Sequence, residues 1–298
     1  MDHDQNFKNL VLDYPRQALA FFAESEAQQI TPDVRITPVR EEQLKERLGE
    51  RFRELDIPLL VEWPDGRRAA LVFVVEEETD PARFSISRLA HYCIDIAELL
   101  QTRRVVPVVI FLRGGPGPSE RTFDLGGDRE TYLRFRFLCV ELSRLPYRQY
   151  QDSDNLVVRL NLPNMHYEPA ERVAVYAAAV RGLTSLEPDP EKRLKYAEFI
   201  DIYAALDDTE RACYERDYPN EAQTVSSFYQ RFREEGRQQG VQQGVRQGEG
   251  VALMRVMRHK FGEIPEPTRQ RIEAADPETL LKWLDRALVA ASIDEVIH

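Results

Sequence analysis

The residues best suited to chemistry are acids at the open ends of a predicted β-hairpin. Two apolar runs, residues 57–63 and 69–75, flank the turn signal Pro64-Asp65-Gly66, and this pattern is typical of a hairpin. If the turn is centred on its glycine, Asp56 falls opposite Glu76. Two carboxylates from distant positions would then meet at one end of the sheet, where they could bind a hard divalent cation.

Glu76 also continues an apolar strand face, because side chains alternate along a strand and position 76 follows Val72 and Val74. A carboxylate in such a place is partly removed from water, and a bound cation would compensate for the lost hydration. Mg²⁺ suits the position, because a few carboxylates hold it while water completes the octahedron, and Mn²⁺ is the alternative ion. The competing interpretation is that the strand ends at Val75 and the glutamates at 76–78 meet solvent.

The helix predicted over residues 85–100, with Ser85 as its N-cap, could complete such a site. Arg88, Tyr92 and Asp95 recur at helical spacing and therefore share a face. We expect Arg88 and Tyr92 to overlook the carboxylates and to hold a phosphate, for which a guanidinium is well suited. The alternative is an ordinary amphipathic helix with a polar surface.

The overall charge limits the partners that this chain can have. Of 298 residues, 51 are acidic and 40 are basic, which gives a formal net charge of -11. This balance argues against wholesale wrapping of nucleic acid, although it does not exclude a local basic groove. Four arginines could line such a groove: Arg121, Arg129, Arg134 and Arg136. No apolar run reaches transmembrane length and the first residues are polar and acidic, so we expect a cytoplasmic protein with no membrane contact.

Other enzyme classes are disfavoured because their motifs are missing. The three cysteines, Cys93, Cys139 and Cys213, are far apart and odd in number, which argues against a disulfide framework or a zinc site. The histidines form no HExxH pattern, and neither a GxSxG sequence nor a complete phosphate-binding loop is present.

The remaining pattern predicts an α/β fold. Val105–Leu112 is a continuous apolar run, typical of a strand that is buried on both faces. A hairpin, a crossover helix and this strand together imply a mixed central sheet flanked by helices. Periodicity predicts further elements, namely helices over 6–24, 41–55 and 168–217 and strands at 30–38, 131–140 and 156–162.

A change of composition separates the last part of the chain. Glycine recurs every fourth residue at Gly236, Gly240, Gly244 and Gly248. Because each glycine costs about 1 kcal/mol in a helix interior relative to alanine, we expect a linker or a marginal helix over residues 228–250. The predicted organisation is a domain over 1–227, this linker, and a small all-helical C-terminal domain over 251–298.

Four segments, taken in order, are similar to the motifs of one nuclease family. Residues 2–8, Asp-His-Asp-Gln-Asn-Phe-Lys, are similar to its opening DxxFK-type segment, and Asp56 stands where its first motif acid falls. Glu76-Glu77-Glu78-Thr79 is similar to its second motif, and Arg88-Leu89-Ala90-His91-Tyr92 to the RxxxY of the following helix. The chain thus resembles the Rpn family of recombination-promoting nucleases, also labelled transposases, within the PD-(D/E)XK nuclease superfamily. The glycine tract and residues 251–298 resemble a short C-terminal domain of unknown function found behind such nucleases.

The resemblance implies a PD-(D/E)XK nuclease fold, DNA as substrate, and Mg²⁺-dependent cleavage of phosphodiester bonds in recombination or mobile elements. Asp56 and Glu76 would hold the metal, with Arg88 and Tyr92 at the substrate. The superfamily carries a lysine where this chain has Glu78, and a glutamate cannot supply that positive charge. Glu78 would be a third ligand, or a base for the attacking water, or the mark of a weak or lost activity.

A second interpretation is a non-catalytic interaction protein that has kept the nuclease fold. The acidic net charge and Glu78 motivate it, and the C-terminal helices would then serve self-association into a homo-oligomer. A transposase is a third interpretation, but the chain contains no identifiable DDE-type triad.

Overall fold

The computed structural model describes residues 3–39, 57–76, 84–112 and 121–297. The chain divides into two compact units, Met1–Val225 and Ser226–His298. The strands of the first unit are β1 (Arg35–Pro38), β2 (Ile57–Glu62), β3 (Arg68–Glu76), β4 (Val105–Phe111), β5 (Thr122–Gly126), β6 (Thr131–Arg136) and β7 (Leu138–Glu141).

Five of these strands form one mixed sheet in the order β1-β2-β3-β4-β7, and β5 and β6 form a separate two-stranded ribbon. The pairs β1–β2 and β2–β3 are antiparallel, whereas β3–β4 and β4–β7 are parallel. The predicted α/β class with a mixed central sheet flanked by helices is confirmed.

The helices before the sheet and after it account for most of the remaining described residues. Those of the first unit are α1 (His3–Asp13), α2 (Pro15–Phe22), α3 (Glu24–Ala27), α4 (Ile86–Leu99), α5 (Leu156–Leu160), α6 (Arg172–Leu186), α7 (Pro190–Ala204) and α8 (Asp208–Asp217). Short 3-10 turns lie at Leu142–Arg144, Tyr147–Gln149, Leu162–Asn164 and Pro169–Glu171. The long helix α9 (Pro219–Phe261) is followed by α10 (Glu266–Ala274), α11 (Pro277–Val289) and α12 (Ile293–Val296).

The predicted hairpin exists, but its register differs by two residues from the one expected. Ile57 lies opposite Phe73 rather than Val75, because the loop has three residues and is closed by Trp63 and Arg67, with the Trp63 amide donating to the Arg67 carbonyl at 2.9 Å. Gly66 ends that loop at a φ of 84°, the left-handed conformation that such loops require. A shift of two residues leaves every side chain on its predicted face.

Strand β4 is an inner strand of the sheet and is buried, as its apolar run predicted. Val108, Val109 and Ile110 are all 0% exposed, since the strand has neighbours on both edges and packing on both faces. Pro107 pairs with Val72 of β3, and the ladder with β7 begins one residue later. Pro107, which has no amide proton to donate to the ladder, therefore lies near the start of the strand, where proline is tolerated.

One predicted strand was wrong, and another is divided into two strands. Residues 156–162 contain the helix α5 and the start of the following 3-10 turn instead. The Asn155 side chain caps α5 by accepting the Val158 amide proton at 3.3 Å. The alternating stretch 131–140 is divided between β6 of the ribbon and β7 of the main sheet. Phe137, at the break, is 9% exposed, so its burial in the core redirects the chain from one sheet to the other.

Helix α4 packs on one face of the sheet and supplies much of the core there. Tyr92 and Ile96 pack with Ala70, near the start of β3. Leu89 packs with Val109 and Phe111, near the end of β4. The helix therefore runs antiparallel to β3 and β4 and begins at the edge of the sheet where both strands end.

The second unit is all-helical over its described residues. The backbone from 228 to 250, predicted as a linker or marginal helix, is helical within α9. Beyond it, α9, α10, α11 and α12 enclose a small core, whose best-buried members are Leu253, Met257, Ile272, Leu280, Ala287 and Val296. The predicted helix over 41–55 lies outside the described residues.

A hydrogen-bond network fixes α1 to α7. The Tyr196 hydroxyl donates to the Asp13 carboxylate at 2.6 Å, and the Lys195 ammonium donates to the same oxygen at 2.7 Å. Burial by itself would raise the pKa of Asp13, but these two hydrogen bonds outweigh it and hold the pKa below its ordinary value. The Asp13 carboxylate therefore stabilises the fold above the unfolded-state pKa, about 3.9.

We expect Tyr196→Phe to lower the free energy of unfolding by about 1 to 2 kcal/mol at pH 7, as for a hydrogen bond to a charged group. The difference from wild type should shrink as the pH falls through the folded-state pKa of Asp13, because protonation removes the charged acceptor. Chemical denaturation between pH 7 and pH 2.5 measures it. Tyr167→Phe is the control, because its hydroxyl donates to the Pro163 carbonyl at 3.2 Å, which does not titrate. An equal pH trend in both variants would contradict the assignment.

Candidate functional site

Glu76 lies at the edge of the sheet where the parallel strands end. It is the last residue of β3, and its backbone pairs with Phe111, the last residue of β4. The other two acids predicted for the site, Asp56 and Glu78, lie outside the described residues. The predicted pairing of Asp56 with Glu76 rested on the register that the hairpin loop does not adopt.

Phe111 connects the end of β3 to the first turns of α4. It packs in one core cluster with Leu89, and its ring lies 5.9 Å from the ring of Phe84, edge to face. Since Glu76 pairs with Phe111 and Leu89 follows Arg88, the structure brings the backbone of Glu76 and the first turn of α4 to the same edge. Two predicted site residues that are 12 positions apart in sequence thus belong to one end of the sheet.

The N-terminus of α4 is set by the predicted cap. The Ser85 side chain accepts the amide proton of Arg88 at 3.4 Å. Arg88 itself is exposed, whereas Tyr92 is only 6% exposed and packs with Ala70 and Ile96. The sequence predicted Arg88 and Tyr92 on one polar face, so the burial of Tyr92 departs from that prediction. One turn along a helix is enough to move a side chain from the rim into the core.

Sequence reasoning missed a carboxylate at the same edge. Glu141 is the last residue of β7 and pairs with Phe111 from the other side, so Glu76, Phe111 and Glu141 form one row across three parallel strands. The side chain of Glu141 is 10% exposed and contacts two arginines. We refer to Glu141, Arg121 and Arg144 as the Glu141 cluster. Only the pairing of β4 with β7 places Glu141 at this edge, and no local sequence motif predicts that position.

Two ion pairs define the Glu141 cluster. Arg121 Nη2 lies 2.7 Å from Glu141 Oε2, and Arg144 Nε lies 3.2 Å from Glu141 Oε1. Cys139, two residues earlier on the same strand, is partly buried, and this burial raises the pKa of its thiol. The adjacent arginines act in the opposite direction on that thiol, while the Glu141 carboxylate raises its pKa further.

Two of the four arginines that were predicted to line a basic groove pair with separate carboxylates. Arg121 pairs with Glu141, whereas Arg134 on β6 donates to both carboxylate oxygens of Asp124 on β5, the shortest distance being 2.8 Å. Arg136 is exposed opposite Thr122 on the same ribbon. The outer face of the ribbon is therefore polar, and only part of its positive charge is balanced by Asp124.

Carboxylates at this edge have the donor chemistry that Mg²⁺ prefers. The predicted metal ligands, Asp56 and Glu76, offer oxygen donors only, and of the two only Glu76 lies within the described residues. Within residues 3–39, 57–76, 84–112 and 121–297, no group of three or more His, Cys, Asp or Glu side chains lies close enough to bind a metal. Among the described helices, none is both long and apolar enough to cross a membrane.

Comparison with known proteins adds no relative: no protein-family model, no curated protein and no solved structure matches this chain.

Proposed function

We propose that this chain is a Mg²⁺-dependent endonuclease with a PD-(D/E)XK fold that cleaves phosphodiester bonds of DNA in recombination or mobile elements. The observation that carries the proposal is the convergence around Phe111. Glu76 pairs with it, and the first turns of α4 pack on it. An acid at the end of β3 and an exposed arginine in the first turn of α4 lie at one edge of the sheet, and this combination suits a metal-assisted attack on a phosphate.

Each residue has a defined part in this proposal. Asp56 and Glu76 hold the ion, which when bound would polarise the phosphate and activate water. Arg88, exposed in the first turn of α4, binds the phosphate and limits its orientation. Tyr92, with its ring in the core, holds α4 against β3. Glu78 would serve as a further ligand or as the base for water.

The direct test is nicking of supercoiled plasmid by the full-length wild-type chain. We expect open-circular product with Mg²⁺ or Mn²⁺ and none with EDTA, because the bound cation is needed to offset the negative charge that develops on the phosphate. Gel electrophoresis over a time course measures the rate. Equal rates with metal and with EDTA, or no product with either ion, would contradict the proposal.

A second candidate, a self-associating protein, is favoured by apolar side chains on α11. Leu281, Leu288 and Val289 are 48%, 64% and 84% exposed, and burial of these apolar side chains between two copies of the chain would favour association. We expect sedimentation equilibrium to show an oligomer in wild type and a smaller species in Leu288→Glu/Val289→Glu. The double variant also separates the two candidates, since nicking by a monomeric variant would show that association is not the main function. A wild-type monomer would contradict the second candidate.

A further inference from the structure

The Glu141 cluster has more positive charge than its carboxylate needs. Two guanidinium groups share one carboxylate, and each contacts a different oxygen. The local charge is therefore positive in a chain whose net charge is -11. A surface ion pair contributes only about 0–1 kcal/mol to folding, so a second arginine on the same carboxylate adds little to stability.

The exposure of the three side chains is uneven. Glu141 is 10% exposed, whereas Arg121 and Arg144 are 50% and 60% exposed. A guanidinium has five N–H donors in a planar fork, and a single carboxylate oxygen occupies only one or two of them. The mostly buried carboxylate thus holds the arginines through ion pairs, while much of each guanidinium faces solvent. Holding the side chains in place beforehand reduces the entropy lost when an anion binds.

The cluster is also at a defined distance from the proposed site. Glu141 and Glu76 flank Phe111 in the same row of the sheet. With neighbouring strands about 4.8 Å apart, their Cα atoms are separated by about 10 Å. This separation corresponds to about three base steps along the axis of duplex DNA, at about 3.4 Å of rise for each.

We infer that Arg121 and Arg144, positioned by Glu141, bind a backbone phosphate of DNA within a few nucleotides of the bond that is cleaved at Glu76. The inference rests on the proposed function and names a second contact of the same site with its substrate. Arg121 and Arg144 are the phosphate-binding residues, and Glu141 is a positioning residue, because it touches the arginines and not the substrate.

The test is the binding of a fluorescein-labelled 30-base-pair duplex to the full chain, with Ca²⁺ in place of Mg²⁺, measured by fluorescence anisotropy over a range of KCl concentrations. We expect Arg121→Ala/Arg144→Ala to bind at least about tenfold more weakly. The slope of log affinity against log salt should fall by about 1, because the two arginines share one phosphate and that single contact is lost. Arg216→Ala is the matched control, since this arginine is 70% exposed and is also paired with a carboxylate, that of Asp217.

Glu141→Gln separates positioning from simple electrostatics. Removal of a negative charge should tighten DNA binding if only net charge matters. We expect weaker binding by a few-fold, because the glutamine no longer holds both forks in place. Arg121→Lys/Arg144→Lys keeps the charge and should lie between wild type and the alanine pair, since an ammonium lacks the planar fork.

Each outcome of these measurements bears on the inference. Unchanged affinity and salt slope in Arg121→Ala/Arg144→Ala, with wild-type binding and nicking intact, would overturn the inference and leave the proposed function standing. Tighter binding by Glu141→Gln would overturn the positioning role. A wild-type chain that binds no DNA would overturn the inference and the proposed function together. If the alanine pair does not fold, as judged by circular dichroism, the lysine pair decides through its affinity.

Discussion

Replacing Glu76 with alanine is expected to reduce plasmid nicking by at least about 100-fold. Loss of residues that merely support a metal ligand costs about 10- to 100-fold in activity, so loss of a direct ligand should cost no less. Asp56→Ala should have an effect of the same order, because the two acids are proposed to hold one ion. Initial rates at saturating Mg²⁺ provide the measurement.

The same substitution at the other end of the hairpin is the matched control. Glu62 is the last residue of β2 and lies beside the loop, where its carboxylate is 3.0 Å from Arg68 Nε. Glu62→Ala removes one acid from the same sheet, but at the edge opposite Glu76. We expect its nicking rate to stay within about twofold of wild type, since a partly exposed ion pair contributes little. Equal rates for wild type, Asp56→Ala and Glu76→Ala would refute a catalytic role for these acids.

The parts of the fold that the sequence predicted well depend on local signals. The strand at β4 follows from an unbroken apolar run, and α4 follows from helical periodicity with Ser85 as its cap. Both signals act over a few residues, so no knowledge of distant contacts is needed. The same reasoning failed at residues 156–162, because a short apolar run with valines fits a buried helix as well as a buried strand. Asn155, whose side chain caps that helix, was the available clue.

The candidate site depends on pairing that is not local. Glu141 lies 65 positions after Glu76, and only the parallel ladders on both sides of β4 bring the two residues into one row. The register of the hairpin was likewise decided by the length of its loop rather than by hydrophobic pattern, since the alternative registers place the same side chains on the same faces. Local sequence patterns can therefore predict which acids are candidates for a site, but not which of them lie close together in the fold.

Tyr92 shows the same limit on a smaller scale. Helical spacing placed Tyr92 on a face with Arg88. A helix that packs on a sheet buries a wide part of its surface, however, and that part can include one of these two side chains and leave the other exposed. The choice depends on the rotation of α4 against Ala70 and Phe111, which the packing decides. Arg88 remains at the rim and Tyr92 enters the core.

Gly182→Ala is expected to destabilise the first unit by about 2 kcal/mol. Gly182 lies in α6 against α5, and a Cβ atom built on it would be 2.5 Å from the Cβ of Arg159 and 2.7 Å from its Nε. Arg159 has little freedom to withdraw, because it is 9% exposed and its Nη2 donates to the Ala178 carbonyl at 2.9 Å. Two Cβ atoms are fixed by their backbones, so the helices themselves must separate.

Two opposing effects determine the size of this change. Alanine in place of glycine favours a helix by about 1 kcal/mol. Overpacking costs about 1–3 kcal/mol, and a contact as short as 2.5 Å belongs at or beyond the upper end of that range. The steric effect therefore wins, and we expect the melting temperature to fall by about 4–8 °C for a unit of this size.

A matched glycine and a double variant test the cause. Gly127→Ala introduces the same methyl group where no atom lies within 4 Å, so it should change the free energy of unfolding by less than about 0.5 kcal/mol. In the Gly182→Ala background, Arg159→Ala removes the contacts with Nε and Cγ but keeps the contact with Cβ. The double variant should therefore be more stable than the two single changes predict, with a coupling of about 1 kcal/mol. Strict additivity in denaturant melts would show that the contacts with Nε and Cγ do not contribute to the cost. A Gly182→Ala single variant as stable as wild type would contradict the close approach of α5 and α6 as the reason for a glycine at this position.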